Sequence, residues 1–196
     1  MKINLQLDHL VINVKDKMDE AYSLFTDLGF SLTPRGYHSI GSINHSILFS
    51  NDYVELIGFP KGKIVQRPEL KGAELGINGI VFKSFNIDKT YSHLCDCRFD
   101  SNPPRSFHRP VQKNNKKFNA KFNTVAMKEN IFNAGRLYFC EHLTPDLVWL
   151  PDYKNHNNNC IKIKEIIILD NNPQFIANIF LKLDSELALN VKKNNL

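Results

Sequence analysis

Hydrophobic residues in the first sixty positions switch between the spacing of a strand and the spacing of a helix. Residues 5–14 carry apolar side chains on both faces, as a buried strand does. In residues 16–29 the apolar side chains recur at helical spacing, and Gly29 is placed to end that helix. Three further strands are predicted at 30–33, 42–49 and 53–59. The first unit therefore reads βαβββ.

The same order of elements then recurs in the second part of the chain. A strand is predicted at 77–82, and Asn86 is placed to cap a following helix. Three more strands are predicted at 106–112, 123–128 and 136–142. Units this small cannot each bury a core, so the modules are expected to pack on each other.

A third unit begins at 160–169 and is cut short. A helix opens near Pro173, a strand is predicted at 186–191, and the Lys- and Asn-rich end at 190–195 is predicted to be disordered. The fold class is therefore α+β. Residues 1–150 are expected to hold the paired βαβββ modules, at about 5–60 and 76–150, and residues 160–196 a truncated third βαβ module.

Composition indicates the class of protein but says little about its function. The 196 residues carry a net charge of +5 and 42% hydrophobic side chains, as is ordinary for a globular protein. Four cysteines at these spacings indicate no disulfide framework, and no apolar run is long enough for a signal peptide or a membrane span. We expect a cytoplasmic protein.

One basic stretch, 105–128, has no acidic residue and interleaves lysine and arginine with phenylalanine. A solvated, lysine-rich hairpin is the favoured interpretation. A nucleic-acid partner is not expected, because no recognised motif accompanies the stretch, and recruitment of an anionic metabolite is the third interpretation.

Three ionisable side chains lie within apolar strand patterns. His9 is surrounded by Leu, Val and Ile, so it is either a hydrogen-bonded core histidine or a metal ligand or base aimed into a cavity. Glu55 lies between Val54 and Leu56, where an unpaired carboxylate would be costly to bury. His45 alternates with isoleucines and is either a cavity-lining acid or base or a satisfied core group.

Four short motifs carry a resemblance to a known family. The modules begin "LDHLVI", and "YVELIGF" closes the first; "GSINH" lies at 41–45 and "YFCEHLTPDLVW" at 138–149. Together these resemble the vicinal oxygen chelate superfamily, which includes glyoxalase I, bleomycin-resistance proteins and extradiol dioxygenases. The match is closest to its glyoxalase-like domain proteins. The resemblance implies curled mixed sheets around a cavity, a small-molecule ligand and, in many members, a homodimer.

The resemblance also implies a divalent metal, with Fe, Mn, Ni, Co or Zn all suited to imidazole and carboxylate ligands. The first module supplies His9 and Glu55. Aligning "LDHLVI" with "INGIVF" puts Gly79 where a second histidine would stand, and aligning "YVEL" with "FCEH" makes Glu141 the counterpart of Glu55. The expected metal ligands are therefore His9, Glu55 and Glu141.

Other roles follow from the same resemblance. His45 and Glu141 are the expected acid–base residues. His142 is the alternative to Glu141, since a shift of one residue in register would exchange the two, and it is an expected substrate-binding residue. Apart from the resemblance, Arg136 is expected to bind an anionic substrate or to form a salt bridge at the edge of the sheet.

Two function classes stay open at this stage. The pair His9 and Glu55 favours a metal-dependent enzyme acting on a small oxygen-bearing metabolite, of lyase, isomerase or dioxygenase type. Gly79, which cannot ligate, favours a metal-free protein that binds or sequesters a small molecule.

Overall fold

The structure is a computed structural model that describes residues 3–65, 67–113, 115–128 and 135–192. Eight strands and four helices follow the order expected for two βαβββ units. The strands are β1 (Leu7–Lys15), β2 (Gly36–Tyr37), β3 (Ile43–Leu48), β4 (Tyr53–Gly58), β5 (Gly76–Lys83), β6 (Arg105–Lys113), β7 (Lys116–Ala126) and β8 (Arg136–His142). The helices are α1 (Met18–Asp27), α2 (Pro68–Lys71), α3 (Ile87–Asp96) and α4 (Pro173–Leu183), and 3-10 turns span Pro145–Leu147 and Pro151–Tyr153.

All eight strands belong to one mixed sheet, in the order β2-β3-β4-β1-β5-β8-β7-β6. Each βαβββ unit contributes four neighbouring strands, and β1 and β5 join the two halves as an antiparallel pair. Within each half the first strand runs parallel to the last, β1 with β4 and β5 with β8. The halves are therefore related by a pseudo-two-fold axis between β1 and β5.

The sheet curls until its two edges meet. Just beyond β2, the amide of Ser39 donates to the carbonyl of His108 in β6 over 2.8 Å, and the amide of His108 donates to the Ser39 hydroxyl over 3.1 Å. The nearly closed curl confirms the α+β fold class and the cavity-forming sheet. It also leaves the inner face of both halves facing one shared space.

Apolar packing covers the outer face of the sheet and part of the inner face. Helix α1 packs on the first half with Met18, Leu32 and Ile47. Helices α3 and α4 pack on the second half through a larger cluster that includes Phe139 and Phe180. A third cluster on the inner face contains Val11, Val81, Phe122, Tyr138 and Cys140, among others.

The third unit is not a βαβ structure. The helix predicted near Pro173 is confirmed as α4, which Asn172 caps through its side chain. The strands predicted at 160–169 and 186–191 are wrong, since neither range forms a strand. A ninth strand would have to pair with β2 or β6, and these edges already face each other. The division of the chain into domains stays a prediction.

Two smaller differences concern the ends of elements. Residues 30–33 do not form a strand, and the second strand of the first unit is instead the two-residue β2. Part of the end predicted to be disordered, 193–195, lies outside the described residues. None of the described helices is long and apolar enough to cross a membrane.

Candidate active site

A cavity of about 1360 Å³ lies inside the curl of the sheet. Side chains from both halves line it, and in the described part of the chain its lining holds five basic and three acidic residues. The basic residues are Arg67, Arg105, Arg109, Lys128 and Arg136, and the acidic residues are Glu55, Glu69 and Glu74. The cavity thus favours a ligand that carries negative charge.

A β-bulge aims His9 into this cavity. Between the pairs Leu7–Phe82 and His9–Val81, strand β1 has one extra residue, Asp8. The Nδ1 of His9 lies 2.7 Å from the Oδ2 of Asp8, and the ring of His9 stacks on Tyr53 with a centroid distance of 4.3 Å. The imidazoles of His142 and His9, which lie beside the carboxylate, outweigh burial and hold the pKa of Asp8 well below its usual range. Asp8 therefore fixes the orientation of the His9 ring through Nδ1, so that Nε2 faces the cavity.

Glu55 meets this nitrogen from the next strand. Its Oε2 lies 3.6 Å from the Nε2 of His9, and its Oε1 accepts a hydrogen bond of 2.8 Å from Asn44. Burial alone would raise the pKa of Glu55, but His9, His38, Arg67 and the Asn44 hydrogen bond lower it on balance. The carboxylate is therefore ionised and held in one orientation.

His38 approaches the same carboxylate from the loop after β2. Its Nε2 lies 3.9 Å from the Oε1 of Glu55, and its Nδ1 lies 2.8 Å from the hydroxyl of Ser42. Burial lowers the pKa of His38 to about 3, so the ring is neutral at physiological pH. Two imidazole nitrogens thus face the two oxygens of one carboxylate.

Glu141 and His45 lie on the other face of the sheet. The Oε2 of Glu141 accepts from the backbone amide of Ile87 at 3.3 Å and from Asn123 at 3.2 Å, beside the start of α3. His45 lies under α1, where its Nδ1 is 2.7 Å from the carbonyl of Thr33. The expected convergence of His9, Glu55 and Glu141 does not occur, because Glu141 alternates with the inward-facing Cys140 along β8.

The two expected substrate-binding residues take different places. Arg136 lines the cavity and donates to the Oδ1 of Asn78 from Nη2 at 2.8 Å. His142 is turned inward from β8, with 7% of its side chain exposed, and its Nε2 lies 3.1 Å from the Oδ2 of Asp8. It therefore lies behind His9, and its role in substrate binding stays a prediction.

Two bulges show which residues of the second half correspond to His9 and Glu55. The extra residue of β5 is Asn78, since Val11 pairs with Gly79 and Ile12 with Ile77. Superposing this bulge on that of Asp8 places Gly79 on His9. The pairing of β5 with β8 then places Tyr138, and not Glu141, on Glu55.

Comparison with known proteins settles the family. The model of the glyoxalase-like domain family matches residues 7–183. The chain belongs to the glyoxalase-like domain family, within the vicinal oxygen chelate superfamily. Among proteins with curated descriptions, none matches it in sequence.

Solved structures with the glyoxalase-like fold share little sequence with this chain. A hypothetical protein from Staphylococcus aureus is 16% identical, with a TM-score of 0.75 over 98% of this chain and 79% of that one. Methylmalonyl-CoA epimerase from Mycobacterium tuberculosis is 17% identical, with a TM-score of 0.51 over 71% of this chain and 89% of that one. A Streptomyces coelicolor methylmalonyl-CoA epimerase in complex with 2-nitronate-propionyl-CoA is 13% identical, with a TM-score of 0.52 over 72% and 100%. Identities this low show the shared fold alone.

The donor chemistry of the first half fits a divalent metal, although the four-ligand arrangement of the superfamily is incomplete in this glyoxalase-like protein. His9 and Glu55 are buried, and Asp8 and Asn44 orient them as outer-shell partners orient metal ligands. His38 offers a third neutral nitrogen beside Glu55. Gly79 supplies no donor, and the phenol of Tyr138 is kept protonated because burial raises its pKa.

Sequence reasoning missed several residues of this site. Asp8 was passed over because a bulge, which period-2 alternation does not anticipate, turns it inward beside His9. Asn44 is the inward-facing residue of "GSINH", one position from His45. His38 could not be found from its loop position, because only the curl of the sheet brings it to Glu55.

Proposed function

We propose that this glyoxalase-like protein is a metal-dependent enzyme that moves a proton on a small, anionic, oxygen-bearing metabolite. The observation that carries the proposal is the buried pair of His9 Nε2 and Glu55 Oε2, 3.6 Å apart in the lining of a basic cavity. A buried, ionised carboxylate beside an imidazole supplies candidate groups for general acid–base catalysis.

His9, His38 and Glu55 would hold the divalent metal. When bound, such an ion polarises a carbonyl or carboxylate oxygen and so acidifies the adjacent C–H bond. The residues around it supply orientation, since Asp8 fixes the ring of His9 and Asn44 fixes Glu55. Glu55 is the candidate base, because its side chain is 9% exposed against 25% for Glu69 and 93% for Glu74.

The charge of the cavity points to the class of substrate. Arg109 is 5% exposed and Arg67 9% exposed, and both lie close enough to Glu55 or His38 to influence their titration. Buried arginines attract carboxylates and phosphates more strongly than exposed ones do. Carboxylates and thioesters with an acidic C–H bond are therefore the first substrates to test, and methylmalonyl-CoA is included because methylmalonyl-CoA epimerases share the fold.

The test combines metal content with proton exchange. The untagged protein would be analysed for metal after exposure to Fe, Mn, Co, Ni and Zn in turn. Each loaded form would then be incubated in D₂O with 2-oxo acids, malonate and methylmalonyl-CoA, and exchange at the acidic carbon followed by NMR. We expect about one metal per chain at this site and exchange that falls roughly 10²–10⁴-fold in His9→Gln.

His45→Gln is the matched control, because His45 lies on the opposite face of the same sheet. It should keep both the metal and the exchange. A folded wild-type protein that takes up no metal would contradict the proposal, as would metal uptake that His9→Gln leaves unchanged.

The second candidate is a metal-free protein that binds and sequesters a small molecule. Gly79 and Tyr138 favour it, because they remove two of the four positions at which the superfamily places ligands. Saturable binding of an anionic compound without metal, detected by native mass spectrometry and weakened in Arg109→Gln, would support this candidate over the enzyme.

A further inference from the structure

A second group of metal-binding side chains lies behind His9, on the boundary between the two halves. It consists of Asp8 from the bulge of β1 and of Cys140 and His142 from β8. One ligand atom from each of the three lies within 4.8 Å of the other two. Cys140 and His142 are two residues apart on a strand, so their side chains share the inner face.

The Nε2 of His142 has no hydrogen-bond partner among the described residues. Its Nε2 is buried, and although it lies 3.1 Å from the Oδ2 of Asp8, the two groups are not aligned for a hydrogen bond. The side chain of His142 is 7% exposed and that of Asp8 2% exposed. A buried nitrogen without a partner is rare in native proteins and needs an explanation, of which a bound ion is one.

Charge balance favours a divalent cation as that group. As ligands, the carboxylate of Asp8 and the thiolate of Cys140 would each carry one negative charge, since a bound metal displaces the proton of the thiol to solvent. Two anionic ligands, one neutral imidazole and a divalent ion sum to zero charge, as a buried site requires. Thiolate sulfur, imidazole nitrogen and carboxylate oxygen are the three donor types that Zn²⁺ takes in proteins.

We propose that Asp8, Cys140 and His142 bind a zinc-type divalent cation at a site separate from His9 and Glu55. Cys140 lines the cavity, so the ion has a path from solvent to the site. The rings of Tyr53 and Trp149 flank His142, at 6.3 Å and 5.9 Å, and enclose the other side. The site does not rest on the proposed enzymatic function.

The position of Asp8 gives the site a consequence for His9. The same carboxylate that would bind the ion accepts from the Nδ1 of His9. A cation there would also join β1 of the first half to β8 of the second, since its ligands come from both strands. Metal at this site is therefore expected to stabilise the pairing of the halves as well as to hold Asp8 in place.

Cobalt distinguishes this site from the one at His9 and Glu55. Bound to a thiolate, Co²⁺ gives a near-ultraviolet charge-transfer band, which ligands with only nitrogen and oxygen do not produce. We would strip the full chain with chelator, keep it reduced, and titrate it with Co²⁺. The band should saturate at one equivalent, disappear in Cys140→Ala, and require roughly tenfold or more Co²⁺ in His142→Gln.

Three controls make the result specific. Cys95→Ser and Cys160→Ser remove exposed thiols and should leave the band unchanged. Glu55→Gln should also leave the band unchanged while lowering the uptake at the other site. Circular dichroism would verify that Cys140→Ala is folded, and Cys140→Ser would replace it if it is not.

No charge-transfer band in the wild-type protein with excess Co²⁺ would overturn the proposal, and this measurement needs no variant. A band that survives the removal of Cys140 would overturn it too. Metal uptake without the band, lost in Glu55→Gln, would leave the proposed enzymatic function standing and this second site refuted.

Discussion

The two halves of the sheet have the same strand order but opposite chemistry on their inner faces. Strand register and the two bulges make Gly79 the counterpart of His9, and Tyr138 the counterpart of Glu55. The pairings of β3 and β7 continue the correspondence, which puts Thr124 on Asn44 and Ala126 on Ser46. In these four pairs the first half carries the more polar side chain, whereas Tyr53 and Ile57 match the more polar Arg136 and Cys140.

The correspondence extends to the edges of the sheet. One residue before β3, Ser42 matches Phe122, and beyond β2, His38 matches Phe107. Phe107 and Phe122 stack on each other at 5.1 Å, and His38 meets the edge of that stack at 5.4 Å. The first half thus holds the His9–Glu55 pair, while Phe107 and Phe122 of the second half supply an apolar wall against which this polar cluster is packed.

The largest expected effect is the difference between substitutions of Glu55 and Glu141, which lie on opposite faces of the sheet. Glu55→Gln removes the ionised carboxylate between His9 and His38, so metal uptake at that site should be lost and proton exchange should fall roughly 10²–10⁴-fold. Glu141→Gln is the control, because Glu141 bonds to Ile87 at the outer face. Elemental analysis and exchange in D₂O measure both variants. Equal losses in the two would contradict the division between the faces.

The second effect tests whether the other half is structural. Phe122→Ala should lower the free energy of unfolding by about 3–5 kcal/mol, because Phe122 is 5% exposed and its removal leaves a cavity beside Phe107. Phe118→Ala on the same strand should change it by less than about 1 kcal/mol, since Phe118 is 43% exposed. Urea unfolding gives both values. A catalytic defect in folded Phe122→Ala, measured below its unfolding transition, would argue that the wall also contacts substrate.

The same division explains what the sequence could and could not predict. The order βαβββ followed from hydrophobic periodicity and from turn residues, which act locally, whereas the choice of His9 and Glu55 came from the family resemblance. The position of Glu141 could not be predicted in this way. Matching "YVEL" to "FCEH" aligns similar residues, but this alignment is three positions away from the register that strand pairing imposes. The strand predicted at 160–169 failed for a different reason, since apolar residues form a strand only where an edge is free to pair.

Aromatic residues in the basic stretch 105–128 show the same limit. Phe107 and Phe122 alternate with charged residues, as in surfaces that stack on nucleic-acid bases, yet they stack on each other inside the sheet. Arg109 of the same stretch is buried in the cavity lining. Basic residues interleaved with phenylalanine are expected both for a surface that stacks on bases and for rings that pack inside a sheet. Only the closure of the sheet distinguishes these two cases.

The smallest expected effect concerns the glycine at the position of His9 in the second half. A Cβ at Gly79 would lie 3.3 Å from the carbonyl oxygen of Arg136 and 3.3 Å from the ring of Tyr138. Gly79→Ala should therefore lower the free energy of unfolding by about 1–3 kcal/mol, as overpacking does, and lower Tm by several degrees. Gly72→Ala is the matched control, because nothing lies within 4 Å of its added Cβ. If calorimetry finds Gly79→Ala as stable as Gly72→Ala, the space is open, and the ring of Tyr138 is not what excludes a side chain there. If Gly79→Ala is destabilised, the absence of a ligand at residue 79 and the inward orientation of Tyr138 have the same cause in packing, because the ring occupies the space that a histidine would need.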